Sequence, residues 1–213
     1  MQRTNSPTAH GIPAASTAEG STTSLANLLT YGRIAAVPAV AACLFGVTIY
    51  EAGLWLRWVA LAIFVVAALT DWLDGWAARA YGGHSALGRM LDPIADKLLV
   101  GASLLMLAAD ETIRGWSLWA AVVILCREIL VSGLREFLAE LRVSVPVSRL
   151  AKWKTTLQLI AIGFLLAGPA GDVILPGTTH IGLTLLWTSA VLTLYTGFDY
   201  FRAGLHHIVS NGR

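Results

Sequence analysis

The sequence predicts an all-α integral membrane protein of six transmembrane helices, with a polar site at the cytoplasmic interface. Three observations carry that expectation. The chain is 56% hydrophobic and 13% charged, against about 25% charged residues in soluble domains. Apolar runs near the roughly 20 residues that a helix needs to cross the hydrocarbon recur along it. Finally, four aspartates, Asp71, Asp74, Asp92 and Asp96, interrupt two of those runs at helical spacing.

Residues 1–24, "MQRTNSPTAHGIPAASTAEGSTTS", are small, polar and proline-containing. They lack the apolar core of a cleaved signal or a span and read as a disordered tail. Residues 25–213 read as one membrane domain. Its predicted spans centre on Ile34–Tyr50, Leu54–Ala80, Ala86–Ala109, Trp116–Leu141, Leu150–Ala167 and Ile181–Ala203. The outer turns around Glu51–Gly53, Asp110–Gly115 and Pro169–Thr179 are short, leaving no room for an external domain. Cys43 and Cys126 lie inside apolar runs and are expected as reduced, packed thiols. The net charge of +2 is modest, and no nucleic-acid partner is expected.

Orientation follows from the distribution of the basic residues. The connection "YGGHS", Tyr81 to Ser85, joins spans two and three, and placing it on one side fixes every other connection by alternation. Twelve of the 15 Lys and Arg residues then fall toward its side, Arg57 and Arg114 fall on the other, and Arg127 is mid-span. That asymmetry places the connection and both termini in the cytoplasm.

Asp71 and Asp74 are three apart and Asp92 and Asp96 four apart, so each pair shares one helix face. Both pairs mirror about Gly82-Gly83: Asp71 is level with Asp96, and Asp74 with Asp92. From Leu54 to Thr70 the helix rises about 25 Å, which puts Asp71 at headgroup depth on the cytoplasmic side. Four carboxylates at one height would repel one another if bare. Hard oxygen donors select Mg²⁺ or Mn²⁺, which keep sites for water and substrate phosphate; one or two such ions would balance the four charges, and two are expected. Gly75, Ala78 and Gly88 open a slot beside the carboxylates, and Arg79 can reach a phosphate. The same small residues also suit close helix packing. A cation transporter is the alternative from another class, although transport sites tend to lie at the midplane on interrupted helices, within repeats that this sequence lacks.

The pattern Asp71-x2-Asp74-Gly75-x2-Ala78-Arg79-x8-Gly88-x3-Asp92-x3-Asp96 resembles, position for position, the motif of the CDP-alcohol phosphatidyltransferase family. The resemblance implies a six-helix membrane enzyme, homodimeric, that moves a phosphatidyl group from a CDP-linked lipid to an alcohol and releases CMP. It implies that Asp71, Asp74 and Asp92 bind metal and that Asp96 binds metal or acts as the catalytic base. Gly75, Ala78, Arg79 and Gly88 would hold the CDP moiety. "LANLLTYGRIAAVP", "REILVSGLREFLAE" and "VPVSRLAKWKTTLQ" are similar to the bacterial phosphatidylglycerophosphate synthase branch. Its substrates are CDP-diacylglycerol and glycerol 3-phosphate, and its place is the bacterial inner membrane, among membrane lipids. Inositol phosphate and phosphatidylglycerol are the alternative acceptors.

A phosphorylated acceptor needs cations. By helical rise Arg127, Lys154 and Asp96 sit at comparable depths, with Arg135 and Lys152 nearer the cytoplasm on the same helices. These four basic residues are the candidate acceptor-phosphate site, Arg127 first, because an arginine in mid-span faces a partner or a wet cavity. Pairing of Arg127 with Glu128, Glu136 or an aspartate is the structural alternative. Thr30 and Arg33, level with the site on the first span, are candidate contacts to the cytidine or diphosphate, or else an interfacial anchor.

Overall fold

The computed structural model describes residues 25–50, 53–81, 86–140 and 149–211, with side chains described for 28–50, 53–70, 90–139, 153–198 and 201–202. The predicted tail, residues 1–24, lies outside the described residues. Among the described residues six helices follow in order: α1 Leu25–Tyr50, α2 Trp55–Tyr81, α3 Ala86–Ala109, α4 Ser117–Glu140, α5 Arg149–Ile174 and α6 Thr178–Asn211. No strand occurs among the described residues. Among the described residues four helical stretches are long and apolar enough to cross a membrane: Leu28–Tyr50, Ser117–Ala139, Trp153–Ile174 and Thr178–Phe198. In α2 the apolar stretch is the shorter Trp55–Thr70.

Each helix buries one stripe. Thr30, Arg33, Ala36, Val40 and Leu44 line the inner face of α1, and Arg57, Ala60, Phe64 and Ala67 that of α2, at the three- and four-residue steps of a helix. Continuing that step along α2 leads to positions 71 and 74. The stripes of α1, α2 and α3 meet those of α4, α5 and α6 in one core centred on Phe64, Leu104, Ile124, Ile162, Leu165 and Leu186. α5 packs along α6 and against α2, α1 along α2 and α3, and α4 along α6, while α3 touches α4 and α5 lightly. Outward positions are apolar: Trp55, Trp58, Trp116 and Trp119 are exposed near the N-terminal ends of α2 and α4, where aromatic rings suit a membrane interface. Both cysteines are free, but Cys126 is exposed rather than packed, because it falls on the outward face of α4 between the buried Ile124 and the polar pair Arg127-Glu128.

Two boundaries differ from expectation. α1 begins at Leu25, earlier than the apolar run, because its polar start turns Thr30 and Arg33 inward, away from lipid. α5 does not end at Ala167. Gly168 breaks it with φ 40° and ψ −126°, and the helix resumes to Ile174, since Pro169 is preorganised for the first position of a new helical segment. Pro169 has no N–H to offer Leu165, and the break also frees Leu166. Arg57 fills both vacancies, its NH1 donating to the carbonyls of Leu165 and Leu166 at 3.3 Å each. Its NH2 pairs with Asp110 Oδ2 and donates to Thr112 Oγ1 at 2.8 Å. Only glycine fits at 168, where a Cβ would lie 2.6 Å from Arg57 NH1. Arg57 and Asp110, each 3% exposed, thus bind α2, the α3–α4 turn and the broken α5 together at this end of the bundle.

Candidate active site

At the other end, two polar clusters form where helix stripes turn from apolar to charged. The first joins α1 to α3. Thr30 and Arg33, three apart, share the inner face of α1, as Asp92 and Asp96, four apart, share one face of α3. Thr30 Oγ1 donates to Asp92 Oδ1 at 2.9 Å. Arg33 NH1 donates to Asp96 Oδ1 at 2.8 Å and lies 3.7 Å from Asp92 Oδ1. The Arg33 side chain is fully buried, whereas Asp92 and Asp96 keep 28% and 48% of their side chains exposed. A guanidinium held out of solvent therefore bears on two partly exposed carboxylates. Such partly exposed carboxylates, four residues apart on one helix, are hard oxygen donors of the type that suits a divalent cation.

Asp71, Asp74, Gly75, Ala78 and Arg79 fall in α2 and Gly88 in α3, but their side chains lie outside the described residues. Among the described residues no three His, Cys, Asp or Glu side chains converge. The described half of the expected carboxylate set is Asp92 and Asp96. Thr30 and Arg33, expected at the nucleotide, are placed directly on those two carboxylates.

The second cluster joins α4, α5 and α6. Glu128 Oε1 accepts from Lys154 Nζ of α5 and, at 3.3 Å, from Arg127 NH1. Arg127 NH2 donates to Thr196 Oγ1 of α6 at 3.1 Å, and that hydroxyl donates on to the Leu192 carbonyl at 2.9 Å. Gly197 makes room for the arginine stem, for a Cβ there would lie 3.0 Å from Arg127 Cγ and 3.2 Å from Nε. The Lys154 side chain is 3% exposed and that of Arg127 10%.

Of the four basic residues expected at the acceptor, the structure brings Arg127 and Lys154 together. Arg135 is exposed two turns further along α4, and the Lys152 side chain lies outside the described residues. Glu128 is the member that sequence reasoning treated only as a rival partner for Arg127. Its adjacency to Arg127 was visible, whereas the meeting with Lys154, 26 residues on, was not. No local signal marks Thr196 and Gly197, which come from a helix 69 residues away.

Comparison with known proteins agrees with the motif. The sequence model of the CDP-alcohol phosphatidyltransferase family matches residues 23–195. A Rickettsia bellii protein named CDP-diacylglycerol–glycerol-3-phosphate 3-phosphatidyltransferase is 45% identical over 179 residues, covering 84% of this chain and 94% of the relative. Proteins of the same name from Cereibacter sphaeroides and Pectobacterium atrosepticum are 36% and 38% identical. They cover 87% and 86% of this chain, and 97% and 96% of their own lengths. With the family match spanning α1 to most of α6, the chain belongs to the CDP-alcohol phosphatidyltransferase family.

Proposed function

We propose that this chain transfers the phosphatidyl group of CDP-diacylglycerol to glycerol 3-phosphate, forming phosphatidylglycerophosphate and releasing CMP. The observation that carries the reading is near full-length identity to relatives named for that reaction. The buried cation pair Arg127 and Lys154 supports a phosphorylated acceptor.

In the proposed mechanism the acceptor hydroxyl attacks the phosphorus that bears the diacylglycerol. Its new P–O bond forms as the bond to the CMP phosphate breaks, in line and without a phosphatidyl-enzyme. Asp96, whose side chain is 48% exposed, takes the hydroxyl proton. Asp71, Asp74, Asp92 and Asp96 would hold two Mg²⁺ or Mn²⁺ ions, which supply charge neutralisation at the diphosphate and at the leaving CMP. Thr30 and Arg33 fix the direction of Asp92 and Asp96 and act on the nucleotide through them. Gly75, Ala78, Arg79 and Gly88 form the CDP slot. Arg127 and Lys154 take the acceptor phosphate, with Arg135 and Lys152 drawing it in from the cytoplasm. The protein is a homodimer in the bacterial inner membrane, crosses it six times, keeps both termini in the cytoplasm and is surrounded by membrane lipids.

The test is CMP release by purified protein from CDP-diacylglycerol, with Mg²⁺ or Mn²⁺ and each acceptor in turn. Stimulation by glycerol 3-phosphate, and not by inositol phosphate or phosphatidylglycerol, is expected. CMP release indifferent to glycerol 3-phosphate would reject the assignment.

A further inference from the structure

We infer that Glu128 is a positioning residue for the acceptor, an internal gauge that sets the spacing of two phosphate-binding cations. The inference rests on the reading that Arg127 and Lys154 take the acceptor phosphate. A carboxylate among phosphate-binding cations is unfavourable as a ligand, since it repels the phosphate it would face. Its value lies in what it holds.

One oxygen, Glu128 Oε1, accepts from both Lys154 Nζ and Arg127 NH1, so two cations carried by different helices are kept within the reach of a single oxyanion. That spacing also suits two oxygens of one phosphate group. Arg127 is fixed on its other side by Thr196 and by the space at Gly197. Lys154 has a flexible four-carbon stem, and its described partner is Glu128. Among the described residues Arg127 and Lys154 set two positive charges against the one negative charge of Glu128, with Arg135 near enough to act on Lys154. The positive charge needed for a phosphate is thus kept while Glu128 stands between the two buried cations. Glu128 itself is 26% exposed, so it reaches the polar side of the cluster rather than sealing the core.

The experiment compares E128Q, E128D, R127M, K154M and the double variant E128Q/K154M in the full-length protein. KM for glycerol 3-phosphate and for CDP-diacylglycerol are measured separately, together with competitive inhibition by inorganic phosphate. E128Q is expected to raise KM for glycerol 3-phosphate and the phosphate inhibition constant in parallel, by at least about tenfold. KM for CDP-diacylglycerol stays within about twofold. E128D falls between wild type and E128Q, and E128Q/K154M matches K154M alone, because Glu128 then has no lysine to place.

If E128Q does not fold, the double variant, which removes both charges, and E128D carry the same comparison. An unchanged KM for glycerol 3-phosphate in E128Q, or an equal rise for both substrates, overturns the positioning role while R127M and K154M still report on the acceptor. If neither R127M nor K154M alters that KM, the acceptor reading itself fails and the gauge falls with it.

Discussion

Replacing Arg57 by Met tests the junction at the α5 break most directly. The side chain bonds Asp110, Thr112 and the carbonyls of Leu165 and Leu166, and both charges are almost wholly buried. Methionine fills much of the volume but leaves the Asp110 carboxylate without its counter-ion and the two carbonyls of the α5 break without a donor. Removing one partner of a buried ion pair costs about 3–5 kcal/mol. The orphaned carbonyls add to the upper end of that range. For a chain of this length each kcal/mol moves the melting temperature by roughly 2–4 °C, so a fall of about 6–20 °C is expected by thermal unfolding in a fixed detergent. R57M/D110N should recover a substantial part of the loss, since no unpaired charge remains. A shift under about 2 °C for R57M, or a double variant worse than the two single ones combined, would refute the argument that charge pairing at the break holds α5 to α2. Position 57 is 14 residues from Asp71 along α2, about 21 Å by helical rise, so the folded R57M enzyme should keep its chemistry below its new melting point.

The remaining predictions concern the end that carries the two polar clusters. D96N should fold and lower CMP release by about 10²- to 10⁴-fold, as expected for loss of a general base; near-normal turnover would remove Asp96 from that role. R33A strips the guanidinium from Asp92 and Asp96 and should weaken Mn²⁺ binding or turnover roughly ten- to a hundredfold. Manganese titration by electron paramagnetic resonance and a CMP assay read the two effects separately, and R33K should recover part of each. G197A places a Cβ 3.0 Å from Arg127 Cγ. It should raise KM for glycerol 3-phosphate roughly three- to tenfold through a small displacement of the arginine, while an unchanged value would show that the stem moves aside without consequence.

Much of the outline was legible because it depends on short-range physics. The three- and four-residue spacings that put Thr30 with Arg33 and Asp92 with Asp96 follow from helix periodicity alone. The interruption of α5 was legible only as an end: the apolar run was expected to stop at Ala167 with a turn from Pro169, and the structure places the break at Gly168. What followed it was not legible. The helix resumes from Pro169, and the carbonyls of Leu165 and Leu166 at the break are taken up by Arg57 from another helix. Likewise the sequence showed Arg57 and Asp110 as two charges on the outer side, with no sign that they form a buried pair.

By itself, then, the sequence determined the membrane class from composition, the all-helical architecture from the apolar runs, and the family from eight motif positions at exact spacing. Tertiary structure alone decided which faces meet. Thr30 lies 62 residues from its partner Asp92, Arg33 63 from Asp96, Lys154 26 from Glu128 and Arg127 69 from Thr196. Helix periodicity fixes the direction of a side chain around its own axis, but says nothing of the rotation of one helix against another. That rotation is set by the packing of all six buried stripes at once, which is why the carboxylates' partners and the double hold on Glu128 emerge only in the folded chain.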